Sequence, residues 1–209
     1  MKNRKILILC SMIAVLVICI AVGYSSTADS RFPGKLWGAK LNEFSKNDEE
    51  IPYAIGNNAT ITVAQMDIAE YFYSLKGFDE DKAREAAYED LKKQEALYQK
   101  ACQLGYSVTD AEIQKQIADY KNIVKTAENR NEILQVISQF DSEEAFWEYE
   151  ARVFSRDMIS QKYVADLEKK FAENNQHKDM NDYNNAWKDY YSKFREQLAE
   201  EENFQIVNE

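Results

Sequence analysis

A mainly α fold with a small β element is the architecture this sequence predicts, and three observations carry it. After Gly105 there is no glycine and after Pro52 no proline, so more than a hundred residues lack the punctuation that tight-turned sheets need. Ala83, Ala87, Leu91, Gln94, Leu97, Ala101 and Leu104 recur at the 3.6-residue period of one helix face. Two short β-prone runs flank Gly56-Asn57-Asn58, a turn signal, and a third run, Asn203 to Val207, ends the chain.

Taken in order, the chain starts with Lys2, Arg4 and Lys5, followed by an uncharged run of nineteen residues from Ile6 to Tyr24. As a helix this run is about 28 Å long at roughly 1.5 Å per residue, close to the thickness of a bilayer's hydrocarbon core. Basic residues on its N-terminal side alone place the N-terminus in the cytoplasm and the remainder outside. A retained signal anchor, residues 1–24, is preferred to cleavage at Ser26-Thr27-Ala28, because the run exceeds an ordinary signal-peptide core; cleavage would make the protein secreted. Leu16-Val17-Ile18-Cys19 departs from a lipoprotein box at Ile18, where a small residue is needed. Residues 25–50, with Pro33, Gly34 and Gly38 among unpatterned charges, are expected to form a juxtamembrane linker. Phe32, Leu36, Trp37 and Leu41 within it suit a short amphipathic piece on the bilayer or on the domain.

Residues 51–209 are expected to be a single helical domain. Tyr53 to Thr62 reads as a β-hairpin, and its Asn58-Ala59-Thr60 sequon as turn chemistry. Thr62 caps a helix from Val63 to Lys76, which Gly77 stops. Asp79 or Asp81 opens the next helix, and Gly105 closes it. Thr109 and Glu112 form a capping box for a helix from Asp110 to about Glu128. A shorter helix spans Glu132 to Phe140. Asp141-Ser142-Glu143-Glu144 then caps the longest one, Glu143 to Glu173, roughly 45 Å at 1.5 Å per residue. After a polar break, Asn174 to Asp182, a last helix runs to about Glu202. The final short strand is free to pair with the hairpin, bringing the domain's two ends together.

The stretch Leu104-Gly105-Tyr106-Ser107-Val108-Thr109-Asp110-Ala111-Glu112-Ile113, preceded by Ala96-Leu97-Tyr98-Gln99-Lys100-Ala101-Cys102-Gln103, resembles the N-terminal chaperone module of the SurA and PrsA family of extracytoplasmic folding factors. The Asn-rich hairpin opening and the closure by terminal strands are similar to that module as well. The resemblance is best from Ile51 to Tyr120 and looser at Glu143 to Glu173 and Trp187 to Val207. It implies a membrane-tethered holdase for unfolded or exported polypeptides, working by apolar contact with no nucleotide, metal or other cofactor. Members of the family often carry a parvulin prolyl-isomerase insert. Here the corresponding region, roughly 129–180, is about half a parvulin's length, glycine-free and helical in pattern.

The residues themselves give catalysis little footing. His177 is the sole histidine and lies in the polar Asn174–Lys178 break. Nucleophilic triads need a partnered histidine, and imidazole or thiolate metal sites need clustered ligands. Cys10 and Cys19 fall in the apolar run, which leaves Cys102 alone, read as a small hydrophobe rather than a nucleophile. Glu143/Glu144 and Glu200/Glu201/Glu202 read as cap partners or solvated faces. From Arg31 onward, 23 Lys and Arg stand against 35 Asp and Glu, a net of −12. That balance disfavours nucleic acid and anionic lipid as partners. No enzymatic activity is expected.

Binding capacity rests instead on the aromatic residues. Two stripes on the long predicted helix, Phe146/Tyr149/Val153 and Trp147/Ala151/Phe154/Met158, together exceed the roughly 100° face of one core contact. Either the last helix covers this surface through Trp187, Tyr191, Phe194 and Leu198, or Phe146, Trp147, Phe154, Met158, Trp187 and Tyr191 line a client-binding cradle. An alternative from another class is a dedicated scaffold subunit that grips one fixed partner. Long uninterrupted helices also suit a domain-swapped homodimer.

Overall fold

The computed structural model describes residues 33–47, 50–175 and 179–208. Both the expected anchor at 1–24 and His177 lie outside them. The described residues form seven helices and a three-stranded sheet. Their order is α1 (Gly34–Ser45), β1 (Pro52–Ile55), β2 (Thr60–Thr62), α2 (Val63–Leu75), α3 (Glu80–Gln103), α4 (Asp110–Thr126), α5 (Arg130–Ile137), α6 (Glu143–Asn174), α7 (Met180–Glu202) and β3 (Gln205–Ile206). No helix among them is long and apolar enough to cross a membrane.

Local chemistry sets most boundaries where the sequence places them. Thr62 and Thr109 each accept the N3 amide, with Gln65 and Glu112 reciprocating as capping boxes. Asp79, Ser142 and Asp179 cap α3, α6 and α7 with their side-chain oxygens. Gly105 adopts φ +84° just past α3, where a side chain would be strained. Glu112 also pairs with Lys162 Nζ at 2.7 Å, which ties the start of α4 to α6. That ammonium, together with the Thr109 amide and hydroxyl, holds the Glu112 carboxyl down at about 2.

The sheet order is β2-β1-β3, with both pairings antiparallel and Ala54 opposite Ile61 on one side and Ile206 on the other. The two ends of the domain therefore meet, as the terminal runs predict. A carboxylate secures that closure. Glu202 Oε2 accepts the Asn58 and Ala59 amides at 2.6 and 3.2 Å, and its carbonyl accepts the Asn57 amide at 2.7 Å. Sequence pattern reads Glu202 as a cap partner or part of a solvated face; it is buried against the hairpin turn, whose amides it accepts.

The principal difference from expectation is α1. Residues read as linker form a twelve-residue helix whose Trp37 and Leu41 are fully buried. Gly34 and Gly38, four apart, let α1 lie directly on α5: a Cβ at Gly38 would stand 2.5 Å from the Val136 carbonyl oxygen. Two glycines on one helical face are a close-packing surface, while a composition reading takes them for flexibility. The helical domain accordingly includes α1, starting before residue 51.

Burial divides into three clusters. The largest joins Trp37 and Leu41 of α1, Ile68 and Phe72 of α2, Tyr120 and Val124 of α4, Ile133 and Val136 of α5 and the N-terminal half of α6. A second packs the sheet on α2 and α3 through Tyr53, Ile61, Met66 and Leu91. The third joins Leu97 and Ala101 of α3 to Tyr163 and Val164 of α6 and to Leu198 and Ala199 of α7.

Candidate functional site

The six residues expected to line a client cradle fall into two separate environments. Phe146, Trp147 and Phe154 are core: none is more than 6% exposed. Phe146 meets Phe140 edge-on at 5.1 Å, Phe154 meets Tyr120 of α4 at 4.6 Å, and Trp147 donates to Glu143 at 3.0 Å. Met158 is half-buried against the same cluster. These four residues are thus covered by α1, α4 and the α5–α6 connection, and not by the last helix. Trp187 and Tyr191 sit elsewhere, half-buried on α7 beside the C-terminal half of α6.

Around Trp187 and Tyr191 the structure gathers aromatics that sequence reasoning did not select. Phe171 of α6 contacts Tyr183, Trp187 and Tyr190 of α7 at 5.9, 5.5 and 5.0 Å. Trp187 stacks on Tyr191 with planes 14° apart, and Tyr190 on Phe194 at 13°. Phe194 reaches Tyr163, which in turn meets Tyr106 at 5.4 Å. Positions 183, 187, 190, 191 and 194 share one face of α7, a spacing legible in the sequence. This file of rings is incompletely covered: Tyr190 is 39% exposed and Met180, at the start of α7, 56%. Glu168 accepts from the Tyr183 hydroxyl at 3.1 Å, and Asp182, Lys188, Asp189 and Lys193 flank the rings in sequence. The Arg195 guanidinium lies 5.7 Å over the Tyr191 ring, so the aromatic face has a margin of mixed charge.

A second concentration of chemistry lies where α1, α2, α3 and α6 converge. Glu95, in the apolar stripe of α3, is 2% exposed and accepts from Arg156 Nη2 at 2.7 and 2.8 Å and from Gln65 at 2.7 Å. Arg156 rests its guanidinium 3.9 Å over the Tyr98 ring. Two turns of α6 carry Tyr149, Glu150 and Asp157, all buried. Among the described residues the Tyr149 hydroxyl and Glu150 Oε2 have no hydrogen-bond partner. Burial, and then the Asp157 charge, raises the Glu150 carboxyl to about 8, so it is protonated at neutral pH. Burial likewise raises the Tyr149 phenol well above its ordinary range. Beside this cluster opens a cleft of about 190 Å³, lined by Arg152, Arg156, Asp157, Tyr149 and Gln65 with Phe44 and Val153 as apolar wall.

Among the described residues no three His, Cys, Asp or Glu side chains are placed to hold a metal ion. Cys102 is a free, half-buried thiol next to Tyr98. No protein-family model, no curated protein and no solved structure matches the chain.

Proposed function

We propose that this chain is a non-catalytic, membrane-tethered binder of unfolded or exported polypeptides, with the aromatic face of α7 and the end of α6 as its contact surface. The observation that carries the proposal is the partly exposed ring file through Phe171, Trp187 and Tyr190, continued by Met180. Aromatic rings and methionine give large apolar contact without demanding one sequence, which suits varied clients. The net of −12 from Arg31 onward favours clients that carry Lys or Arg beside apolar residues. The resemblance to the SurA and PrsA module and the apolar run from Ile6 to Tyr24 supply the extracytoplasmic setting.

The test is a light-scattering assay with the full chain in lipid nanodiscs and a chemically unfolded client. Near-stoichiometric chain suppresses aggregation without ATP, and the double substitution Trp187→Ala/Tyr190→Ala removes the suppression while helical content stays unchanged. Undiminished aggregation with the unmodified chain refutes the proposal. A second reading, a subunit that grips one fixed partner, draws on the fact that the rings are already stacked on one another and hence ordered before binding. Pull-down from membranes separates the two: one stoichiometric companion favours the fixed partner, a broad set of exported proteins the chaperone.

A further inference from the structure

Charge and apolar exposure are unevenly spread over the domain, and one end departs from the acidic whole. There the N-terminus of α1, the C-terminus of α4 and the N-terminus of α5 come together. A Cβ at Gly34 would stand 2.8 Å from the Glu132 carbonyl oxygen, and only residues 127–129 separate α4 from α5. Within the first turn of α1 and the stretch 120–137, Lys35, Lys121, Lys125 and Arg130 stand against Glu128 and Glu132, whereas the chain from Arg31 onward carries a net of −12. All four cations are exposed. At the same end Leu36, Ile123 and Leu134 are 57%, 48% and 37% exposed. Trp37 and Leu41 are committed to the core, which leaves Leu36 on the outer face of α1.

The sequence leading into α1 supplies the occupant. Nine residues, 25–33, separate the apolar run Ile6–Tyr24 from α1, and at about 3.5 Å per residue they reach at most about 32 Å. A bilayer that holds the run is therefore within reach of this end. Lys and Arg beside apolar side chains suit its interface, with stems among the acyl chains and charges at the headgroups. The aromatic file lies at the other end of α6. Phe44 of α1 meets Tyr149 in the second turn of α6, and Phe171 follows twenty-two residues later, about 33 Å along the axis at roughly 1.5 Å per residue.

We propose that this end of the domain docks on the bilayer surface, Lys35, Lys125 and Arg130 meeting anionic phospholipid headgroups and Leu36, Ile123 and Leu134 entering the interface. The α7 rings are then presented at the far end of α6, away from the membrane. The inference rests on the reading of Ile6–Tyr24 as a retained anchor, and it does not depend on what the α7 face binds.

Photocrosslinking of the full chain in nanodiscs of phosphatidylcholine and phosphatidylglycerol tests it. A p-benzoylphenylalanine replaces Leu36, Ile123 or Leu134, each exposed, with Met180 at the far end of α6 as the contrast. Lipid adducts form at 36, 123 and 134 and not at 180. Lys35→Glu/Lys125→Glu/Arg130→Glu lowers the adduct yield about fivefold or more, the factor that one Lys or Arg near an anionic surface contributes, and salt at about 0.5 M lowers it too. Absence of lipid adducts at all three sites, an equal yield at 180, adducts to a second copy of the chain in place of lipid, or a yield indifferent to the charge reversal would overturn the proposal. Carbonate extraction keeps the two readings apart. A chain that resists extraction yet gives no lipid adduct keeps its anchor and loses the docking surface, whereas an extracted chain loses both.

Discussion

Replacing Glu150 by glutamine changes how the fold responds to pH, and the structure fixes both the sign and the scale. Glu150 is wholly buried, 1% exposed, and its carboxyl is raised from the ordinary 4.5 to about 8, first by burial and second by the Asp157 charge. Below pH 4.5 folded and unfolded chains both hold the proton, and the group adds no pH dependence. Between 4.5 and about 8 the unfolded chain releases the proton while the fold retains it, so stability falls as pH rises, by about 1.4 kcal/mol per unit. At pH 7 the accumulated loss is about 3 kcal/mol, and above about 8 the curve levels. Glutamine does not ionise in either state, so Glu150→Gln abolishes this slope. Urea unfolding of both proteins at successive pH values from 5 to 8 measures the effect. The unmodified chain loses stability across that window relative to the variant, with the largest gap at the alkaline end. Parallel curves for the two proteins would show that Glu150 is ionised in the fold and that its burial has been compensated by groups not identified above.

Two further perturbations probe how the domain is closed. Gly38→Ala introduces a methyl 2.5 Å from the Val136 carbonyl oxygen. The overpacking costs about 1–3 kcal/mol, enough to outweigh the roughly 1 kcal/mol that alanine gains in helix propensity, so the thermal midpoint falls; a rise would mean that α1 does not lie on α5. Glu202→Ala leaves the Asn58 and Ala59 amides without their acceptor and destabilises by about 2 kcal/mol. The specific readout is faster hydrogen exchange at the Ala59 amide, and unchanged exchange there would remove Glu202 from the closure.

Most helix boundaries were legible because their determinants are local. Thr62, Asp79, Thr109 and Ser142 each satisfy an amide two or three residues away, and that chemistry reads directly from the chain. The hairpin and its pairing with the chain's end were legible for a similar reason: turn residues and short β-prone runs are punctuation. What escaped were side-chain pairings between residues distant in sequence. Leu104 completes the periodic stripe yet is 54% exposed, because α3 ends at Gln103 and Leu104 is its C-cap, off the helix face. Glu95 sits where periodicity asks for an apolar side chain and is buried because Arg156, sixty-one residues on, and Gln65 complete its hydrogen bonding. A charged residue inside an apolar stripe was the available signal. The pairing of Glu202 with the hairpin turn spans 144 residues and gave no such sign.

The linker reading of residues 25–50 and the cover of the long helix are connected. The sequence allowed Trp37 and Leu41 a short amphipathic piece on the domain, and it left the aromatic stripe of the long helix open between core and cradle. Phe44 of α1 packs edge-on against Tyr149 at 6.3 Å, while Phe140 and Tyr120 meet Phe146 and Phe154 at 5.1 and 4.6 Å in the same cluster. With the N-terminal half of α6 in the core beside α4 and the α5–α6 connection, α7 packs elsewhere, on α3 and the C-terminal half of α6. Its Leu198 and Ala199 are then committed to α3 and α6, while Trp187, Tyr190 and Tyr191 pack largely on one another and on Phe171. Phe146, Trp147 and Phe154 therefore belong to the core, whereas the α7 rings are stacked mainly on each other and remain partly exposed at Tyr190, which is why the proposed contact surface is placed on α7.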